Sequence, residues 1–504
     1  MLSIFASTEL LDQVNAIIAQ VYRLDELVRV VDFFSEKPTP SASCLIVNSK
    51  GVAHPIDWYN EQPPFILPEY IDLAPNTLLG LLFAKLGNYQ EAYTYLANDI
   101  NLLTAIDCIN RLQNGVPVNP DVLSAEYSDF EEYRLLHNQA IVRHYGADDQ
   151  GQDYEKIRYF YREAMHAAPN DEYQAFTAKH YALLLSDHGD LDLAEDVLLR
   201  GIQNALSDDA KLELKSVLVS VWLKKLTIPY DQALLAQIKE TLWEVLNHYE
   251  KNGRRTESGL LLVDASQVAN FTESFAESLG YVNRALAIFE EEEQVELVAN
   301  AFMRRGALLL SWAQHGNPQF FKGAAESYQE ALKVFTREDA PAIFADIQHQ
   351  LGIIYSEIPA EVRKKSIWAG VSSTAFKAAL EFYSKEEYPY EYALISTHYG
   401  NALTKYPEAI HSDNFEKALF LYDEALAIRN AAQFPYERAL TLLNYIEASW
   451  HVNNATEDFN ETRFNDMRDK ATEVLNLVKE PSMLEEANLH LEKLAALKKA
   501  YQES

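Results

Sequence analysis

Four short stretches, RALAIF, EALKVF, AALEFY and EALAIR, set the architecture of the C-terminal half of this chain. Their second residues, Ala285, Ala331, Ala379 and Ala425, stand 46, 48 and 46 residues apart. A glycine follows each of the first three alanines after 21 residues, at Gly306, Gly352 and Gly400, and the fourth such position is Ile446. The approaches to the last three of these positions repeat as well, as DAPAIFA, EYPYEYA and QFPYERA. Constant spacing with drifting sequence is an internal repeat. A unit of this length reads as a helix pair that buries its apolar face only against neighbouring units. Glycine inside a helix costs about 1 kcal/mol relative to alanine. Its recurrence at one step therefore marks a place where a second helix comes close.

Shorter copies precede this block. LLGLLFAKLGNYQEAYTYL (78–96) places Gly80, Gly87, Tyr89, Ala92 and Leu96 as a tetratricopeptide repeat (TPR) would. YFYREAMHAAPND places Tyr161, Ala164 and Pro169, after a first helix LLHNQAIVRHY and extra residues around Gly146–Gly151. YALLLSDHGDLDLAEDVLLRG carries Gly189, Leu191, Ala194, Leu198 and Gly201. The block from about 278 to 450 resembles the long-unit TPR arrays of bacterial multi-repeat proteins, through Ala331 to Pro341 (ALKVFTREDAP) and then Leu351-Gly352 and Tyr355-Ser356-Glu357. The resemblance implies an all-α, TPR-like α-solenoid, a right-handed superhelix of antiparallel helix pairs. Proteins with such repeats often carry a caspase-like protease module of the CHAT type. No paired His and Cys segment that would supply its dyad is found here, and the sequence ends in helix.

Composition agrees with long helices. Glycine (17) and proline (18) are scarce over 504 residues, which disfavours turn-rich β-folds. The formal charge of −32 opposes direct binding to nucleic acid or to an anionic membrane, because phosphate-neutralising cations are lacking. The same charge suits either a soluble elongated surface or a partner with a basic patch. Two cysteines, Cys44 and Cys108, make neither a disulfide framework nor a zinc site. Residues 1–22 contain no Lys or Arg, so no secretory leader is expected. These features together point to a cytoplasmic protein.

Outside the repeats, LLDQVNAIIAQVY and LDELVRVVDFF within residues 1–35 predict two amphipathic helices. Prolines 38, 40, 55, 63, 64 and 68 break any helix from Lys37 to Tyr70. CLIV at 44–47 predicts a short strand, and Trp58, Tyr59 and Phe65 to Leu67 imply that the segment packs on the array. The expected organisation is residues 1–70 as N-terminal helices plus a Pro-rich extended segment, and 71–206 as TPR-like repeats. Degenerate helical pairs follow over 207–277, with bends near Pro229 and Gly253, then long-unit repeats over 278–480 and a capping helix over 481–504. Ser482 and Glu485 are expected to form a capping box at the start of that last helix.

Chemistry-bearing motifs are missing: no phosphate loop, dinucleotide fingerprint, HExxH, GxSxG or CxxC stands in the sequence. His137 and His144, seven apart, read as ordinary helix histidines rather than metal ligands. No catalytic residue, metal or cofactor is expected. The TPR resemblance places function on the concave face, lined by the first helix of each pair. Taking the small residue as position 8 of the motif gives Asn300, Met303, Ala307 and Leu310, then Asp346, His349, Ile353 and Ser356. The next units give Thr397, Asn401, Thr404 and Lys405, then Leu443, Glu447, Trp450 and His451. No unit carries the lysine-asparagine pair by which some TPR domains hold chaperone tails. SEIPAEVRKKSIWAGVSS reads as an enlarged loop offering a further contact through Arg363, Lys364, Lys365 and Trp368. The expected function is a non-enzymatic interaction scaffold that binds a protein or peptide through the concave face. Alternatives are a sensor or adaptor subunit for a separate effector such as a caspase-like protease, and an enzyme with a site in Lys37–Tyr70.

Overall fold

The computed structural model describes residues 2–35, 44–59, 63–123, 128–146, 153–227, 230–407, 413–452 and 459–503, with backbone alone at 362, 363 and 503. Pro38, Pro40, Gly151, Pro229 and the Arg363 side chain, all used above, lie outside the described residues. The chain divides into two compact units, Met1–Arg254 and Arg255–Ser504.

In the first unit, strand β1 (Leu2–Ala6) is followed by helix α1 (Leu11–Ile18) and strands β2 (Val28–Asp32), β3 (Cys44–Asn48) and β4 (Gly51–Ala53). The strands form one sheet in the order β2-β1-β3-β4. β1 is parallel to β2 and β3, and β4 is antiparallel to β3. The second expected N-terminal helix is thus a strand. In VRVVD the β-branched valines suit a pleated surface, and five residues are too few for periodicity to separate the two states. The LSIFA strand was not anticipated at all, and it is buried along its whole length. Leu2, Ile4, Ala6, Val14, Ile17 and Leu45 share one core with Leu78, Leu82 and Leu96 of the first helix pair. The sheet therefore covers the open end of the helical array, which a solenoid needs at its terminus.

Helices follow as α2 (Pro75–Lys85), α3 (Tyr89–Leu96), α4 (Ile100–Gln113), α5 (Asp129–Tyr145), α6 (Tyr154–Ala167), α7 (Asp171–Asp187), α8 (Leu191–Asn204), α9 (Asp208–Lys225) and α10 (Gln232–Lys251). The second unit is helical throughout its described elements, apart from one short 3-10 turn at Pro318–Phe320. They are α11 (Arg255–Phe271), α12 (Phe275–Glu291), α13 (Val295–Gln314), α14 (Phe321–Ala331), α15 (Pro341–Glu357), α16 (Val362–Phe382), α17 (Pro389–Lys405), α18 (Asn414–Ile428), α19 (Pro435–Trp450), α20 (Glu461–Leu477) and α21 (Pro481–Glu503). Within each unit, first helices touch first helices of the next pair, as α5 with α7, α7 with α9, α15 with α17 and α17 with α19.

Each repeated motif has its physical role. Pro341, Pro389 and Pro435 begin α15, α17 and α19, where a missing N–H leaves no bond unmade. Ala285, Ala331, Ala379 and Ala425 are fully buried in the second helix of each pair. A Cβ on Gly306, Gly352 or Gly400 would meet the ring of Tyr328, Phe376 or Tyr422 from that second helix at 2.5–2.9 Å. Gly259 of α11 does the same against Phe289, so α11, within the stretch expected to hold degenerate pairs, is the regular first helix of the unit whose second helix is α12. The missed signal was the distance from glycine to alanine within a unit: 26 residues from Gly259 to Ala285, against 25 to 27 in the next three.

Two smaller expectations change. SEIPAEVRKKSIWAGVSS is not an enlarged loop, because α16 starts at Val362 and places Lys364, Lys365 and Trp368 in its first two turns. Only Pro359 and its neighbours break the helix there, and packing such as Trp368 on Tyr355 holds the residues beyond as helix despite several weak helix formers. α21 starts at Pro481, so Ser482 lies inside the first turn and the capping box does not form. Among the described residues no helix is long and apolar enough to cross a membrane.

Candidate functional site

In the first unit, helix side chains hold a loop of the same chain. Residues 63–67 lie against α5: the proline pair denies the segment a helix, the Phe65 N–H closes a tight turn on the Pro63 carbonyl at 2.8 Å, and the polar groups of Pro64 and Ile66 are left to be met by side chains. Asn138 of α5 meets both polar groups of Ile66: its Oδ1 accepts from the Ile66 N–H at 2.9 Å and its Nδ2 donates to the Ile66 carbonyl at 2.8 Å. A neighbouring strand would offer the same pairing. One residue earlier, His137 Nε2 lies 2.8 Å from the Pro64 carbonyl and Nδ1 lies 2.9 Å from the Thr177 hydroxyl of α7. A carbonyl only accepts, so Nε2 carries the ring proton and Nδ1 accepts from Thr177. Burial lowers the His137 pKa to about 4, and the ring stays neutral.

Trp58 anchors the other end. Its indole N–H donates to Glu172 Oε1 at 2.9 Å, and its ring meets Phe176 edge-on at 5.4 Å. The other Glu172 oxygen accepts from the Leu206 and Ser207 backbone N–H groups ahead of α9. Tyr59 donates its hydroxyl proton to Asp209 and lies 2.9 Å from His248 Nε2. The Arg254 guanidinium sits between the Tyr59 and Tyr249 rings, 4.3 Å from each centroid. Beneath it Glu213 pairs with Arg254 and, at 2.7 Å, with Lys179. Burial alone would raise the Glu213 carboxyl, yet Lys179 and Arg254 hold it below its ordinary value. Phe65 and Leu67 enter the core shared with Leu78 and Leu81, and a cavity of about 130 Å³ lies against Pro63 and Phe65, lined also by His54, Lys85 and Gln113.

In the second unit the residues expected to bind a partner separate into two groups. Asn300, Asp346, Lys405, Glu447 and His451 are exposed, and Met303, Ala307, Ile353, Ser356, Asn401, Thr404 and Trp450 are half-buried. Asp346 accepts from the Tyr383 hydroxyl at 2.7 Å, Asn401 accepts from Tyr422 at 2.7 Å, and Lys405 pairs with Glu357 of α15. Trp450 donates to His490 of α21 at 3.1 Å.

His349, Thr397, Leu310 and Leu443 do not lie on an open surface. Thr397 is 4% exposed, and its hydroxyl donates to the Ala393 carbonyl and accepts from Arg429 at 3.1 Å. Arg429 also donates to Thr441 at 2.7 Å, so one buried guanidinium joins α17 to α19. His349 Nε2 lies 2.8 Å from His398 Nδ1, with the rings stacked. Burial lowers their pKa values to about 3 and about 4, and both rings are neutral near pH 7. His349 and Thr397 stand at position 5 of the motif and face the next first helix, which accounts for their burial. On α16, Trp368 stacks on Tyr355 at 5.4 Å and packs its helix down, whereas Lys364 and Lys365 are exposed.

Residues that the sequence reading missed belong to this layer too. Asp264 of α11 is held up at about pH 6 by burial, opposed by Arg304 of α13, which donates to Gln267 at 2.8 Å. Among the described residues no group of three or more His, Cys, Asp or Glu could hold a metal ion. Burial also raises both cysteine thiols, Cys108 to about 11, which keeps them protonated and poorly nucleophilic.

A layer of first helices backed by second helices, with small residues at the crossings, matches solved helical-repeat structures. The chain is similar to a signal-transduction ATPase with numerous domains (STAND) that carries a tetratricopeptide repeat sensor, from Pyrococcus horikoshii: TM-score 0.51, 13% identity, 97% of this chain and 83% of that one. The chain has the tetratricopeptide-repeat fold. Other TPR-type structures align with it at lower scores. They include human IFIT1, solved as a dimer with m7Gppp-AAAA (TM-score 0.44, 13% identity, 83% and 80% covered), and yeast Tom70 (0.36, 11%, 85% and 82%). No protein-family profile and no curated protein matches the sequence.

Proposed function

We propose that this TPR-fold protein is a non-enzymatic scaffold whose first-helix faces hold an extended segment or a helix of a protein partner. One observation carries the reading: the Asn138 carboxamide already holds the backbone of Ile66 as a bound peptide would be held. In the second unit the partner's contacts are the accessible members of the same layer, Asn300, Met303, Asp346, Ser356, Asn401, Thr404, Lys405, Glu447 and Trp450. Lys364 and Lys365 extend the contact on α16. The charge of −32 favours a partner with a basic patch and weighs against a nucleic acid.

The test is affinity purification of the full chain beside an Asn401→Ala, Trp450→Ala double variant. A stoichiometric partner lost with the double change supports the second-unit face, and a partner retained by a folded double variant rejects it. A caspase-like protease as that partner would make the chain its adaptor. Turnover of a substrate panel by the isolated chain would remove the non-enzyme reading.

A further inference from the structure

The loop carrying Trp58 to Leu67 leaves and rejoins the fold at one place. Val52 of β4 and Ile71 exchange two backbone hydrogen bonds, of 2.7 and 2.9 Å, so residues 53–70 are closed off at a neck that belongs to the sheet. Beyond the neck the helices hold the loop as a receptor holds a ligand. Asn138 and His137 bind its backbone at Ile66 and Pro64, on either side of the tight turn that the Phe65 N–H closes on Pro63. Glu172 and Phe176 bind the Trp58 indole, and the core beside Leu81 takes Phe65 and Leu67, which adds side-chain selectivity. Releasing the loop would leave β4 paired with β3, since the neck closes without it. Release alone would bare the Asn138 amide and the apolar floor, so the loop leaves only in exchange for a chain of like chemistry.

We propose that the first-helix face of α5 and α7 is a peptide groove that the chain occupies with its own residues 58, 59 and 63–67. In trans it accepts an extended segment of another protein, one with a tryptophan followed by a proline pair that leads into apolar residues. This groove belongs to the first unit and stands independently of the Asn401 and Trp450 face.

A tethered occupant competes at an effective concentration of roughly millimolar. A fluorescent synthetic peptide covering residues 54–70 is therefore expected to bind the wild-type full chain weakly in an anisotropy titration. Trp58→Ala loosens the tethered copy and is expected to tighten peptide binding about 10-fold, and adding Asn138→Ala should abolish the gain. A Trp58→Ala chain with wild-type helical circular dichroism that binds no tighter overturns the proposal, as does a gain that survives Asn138→Ala. If Trp58→Ala loses helicity, hydrogen exchange on the wild type decides. Millimolar peptide should then speed exchange at the Ile66 amide several-fold and leave Val52 and Ile71 protected, and an unchanged Ile66 amide overturns the proposal. A concentration-dependent wild-type dimer abolished by Asn138→Ala would assign the groove to a second copy of this chain and overturn the trans-partner assignment.

Discussion

The Tyr422 ring lies against the bare Cα of Gly400, so close that a methyl group there would stand 2.5 Å from its Cε1 atom. Ordinarily a helical Gly→Ala change stabilises by about 0.5–1 kcal/mol. At Gly400 the sign should reverse, with Gly400→Ala lowering the melting temperature and Gly400→Leu costing about 1–3 kcal/mol through overpacking. Gly280 of α12 is exposed, and a Cβ there meets nothing within 4 Å, so Gly280→Ala should raise stability by up to about 1 kcal/mol. Paired thermal melts check both, and equal shifts for the two alanines would contradict the close-packing account.

Asn138→Ala removes both side-chain bonds from the Ile66 backbone and leaves a buried N–H and carbonyl without them. The expected cost is about 1–3 kcal/mol. Exchange of the Ile66 amide should accelerate more than that of Leu2, which is held inside the sheet by the Leu27 carbonyl at 3.0 Å. Uniform acceleration across the first unit would mean that Asn138 serves the core and not the loop.

Stability should fall as pH drops from about 6.5 to about 4. His137, His349 and His398 have folded pKa values of about 4, about 3 and about 4, below the ordinary 6.5. In that window the unfolded chain takes up protons that the folded chain refuses, so the unfolded state gains as acid is added. For fully buried His137 the effect is on the order of 3 kcal/mol between pH 7 and 4. Chemical denaturation at several pH values should give a slope that His137→Asn reduces by close to one proton. A slope unaffected by that change would show that other groups set the acid sensitivity.

Glu213→Gln should be among the most damaging single changes in the first unit, at about 3–5 kcal/mol. It strands the buried Lys179 ammonium and takes the carboxylate away from Arg254. The depressed Glu213 carboxyl also contributes stability that is present above about pH 4.3 and lost as pH falls through its lower folded value. Urea midpoints at pH 7 test the first statement, and a wild-type midpoint for Glu213→Gln would refute it.

Much of the helical array was legible from Ala285, Ala331, Ala379 and Ala425, because a solenoid repeats its close contacts at a fixed chain distance and each contact demands a small residue. The N-terminal sheet was not. LSIFA and VRVVD are short apolar runs that fit either state, and what makes them strands is pairing with each other across α1. Position within the motif placed Asn300, Asp346 and Lys405 on an accessible face but not Thr397 or His349, whose surroundings depend on Arg429 and His398 in neighbouring helices. Asn138 carries no local signal at all, since Ile66 lies 72 residues away and ordinary helix sequence surrounds it.

The Val52–Ile71 pair has a practical consequence. Two backbone bonds hold the ends of the loop, so residues between them can be varied as a cassette with the core positions Trp58, Phe65 and Leu67 kept. Libraries cloned there would display candidate peptides already tethered beside Asn138, and resistance to a protease cutting within the cassette would rank them. Such a library would read out which sequences the proposed groove prefers.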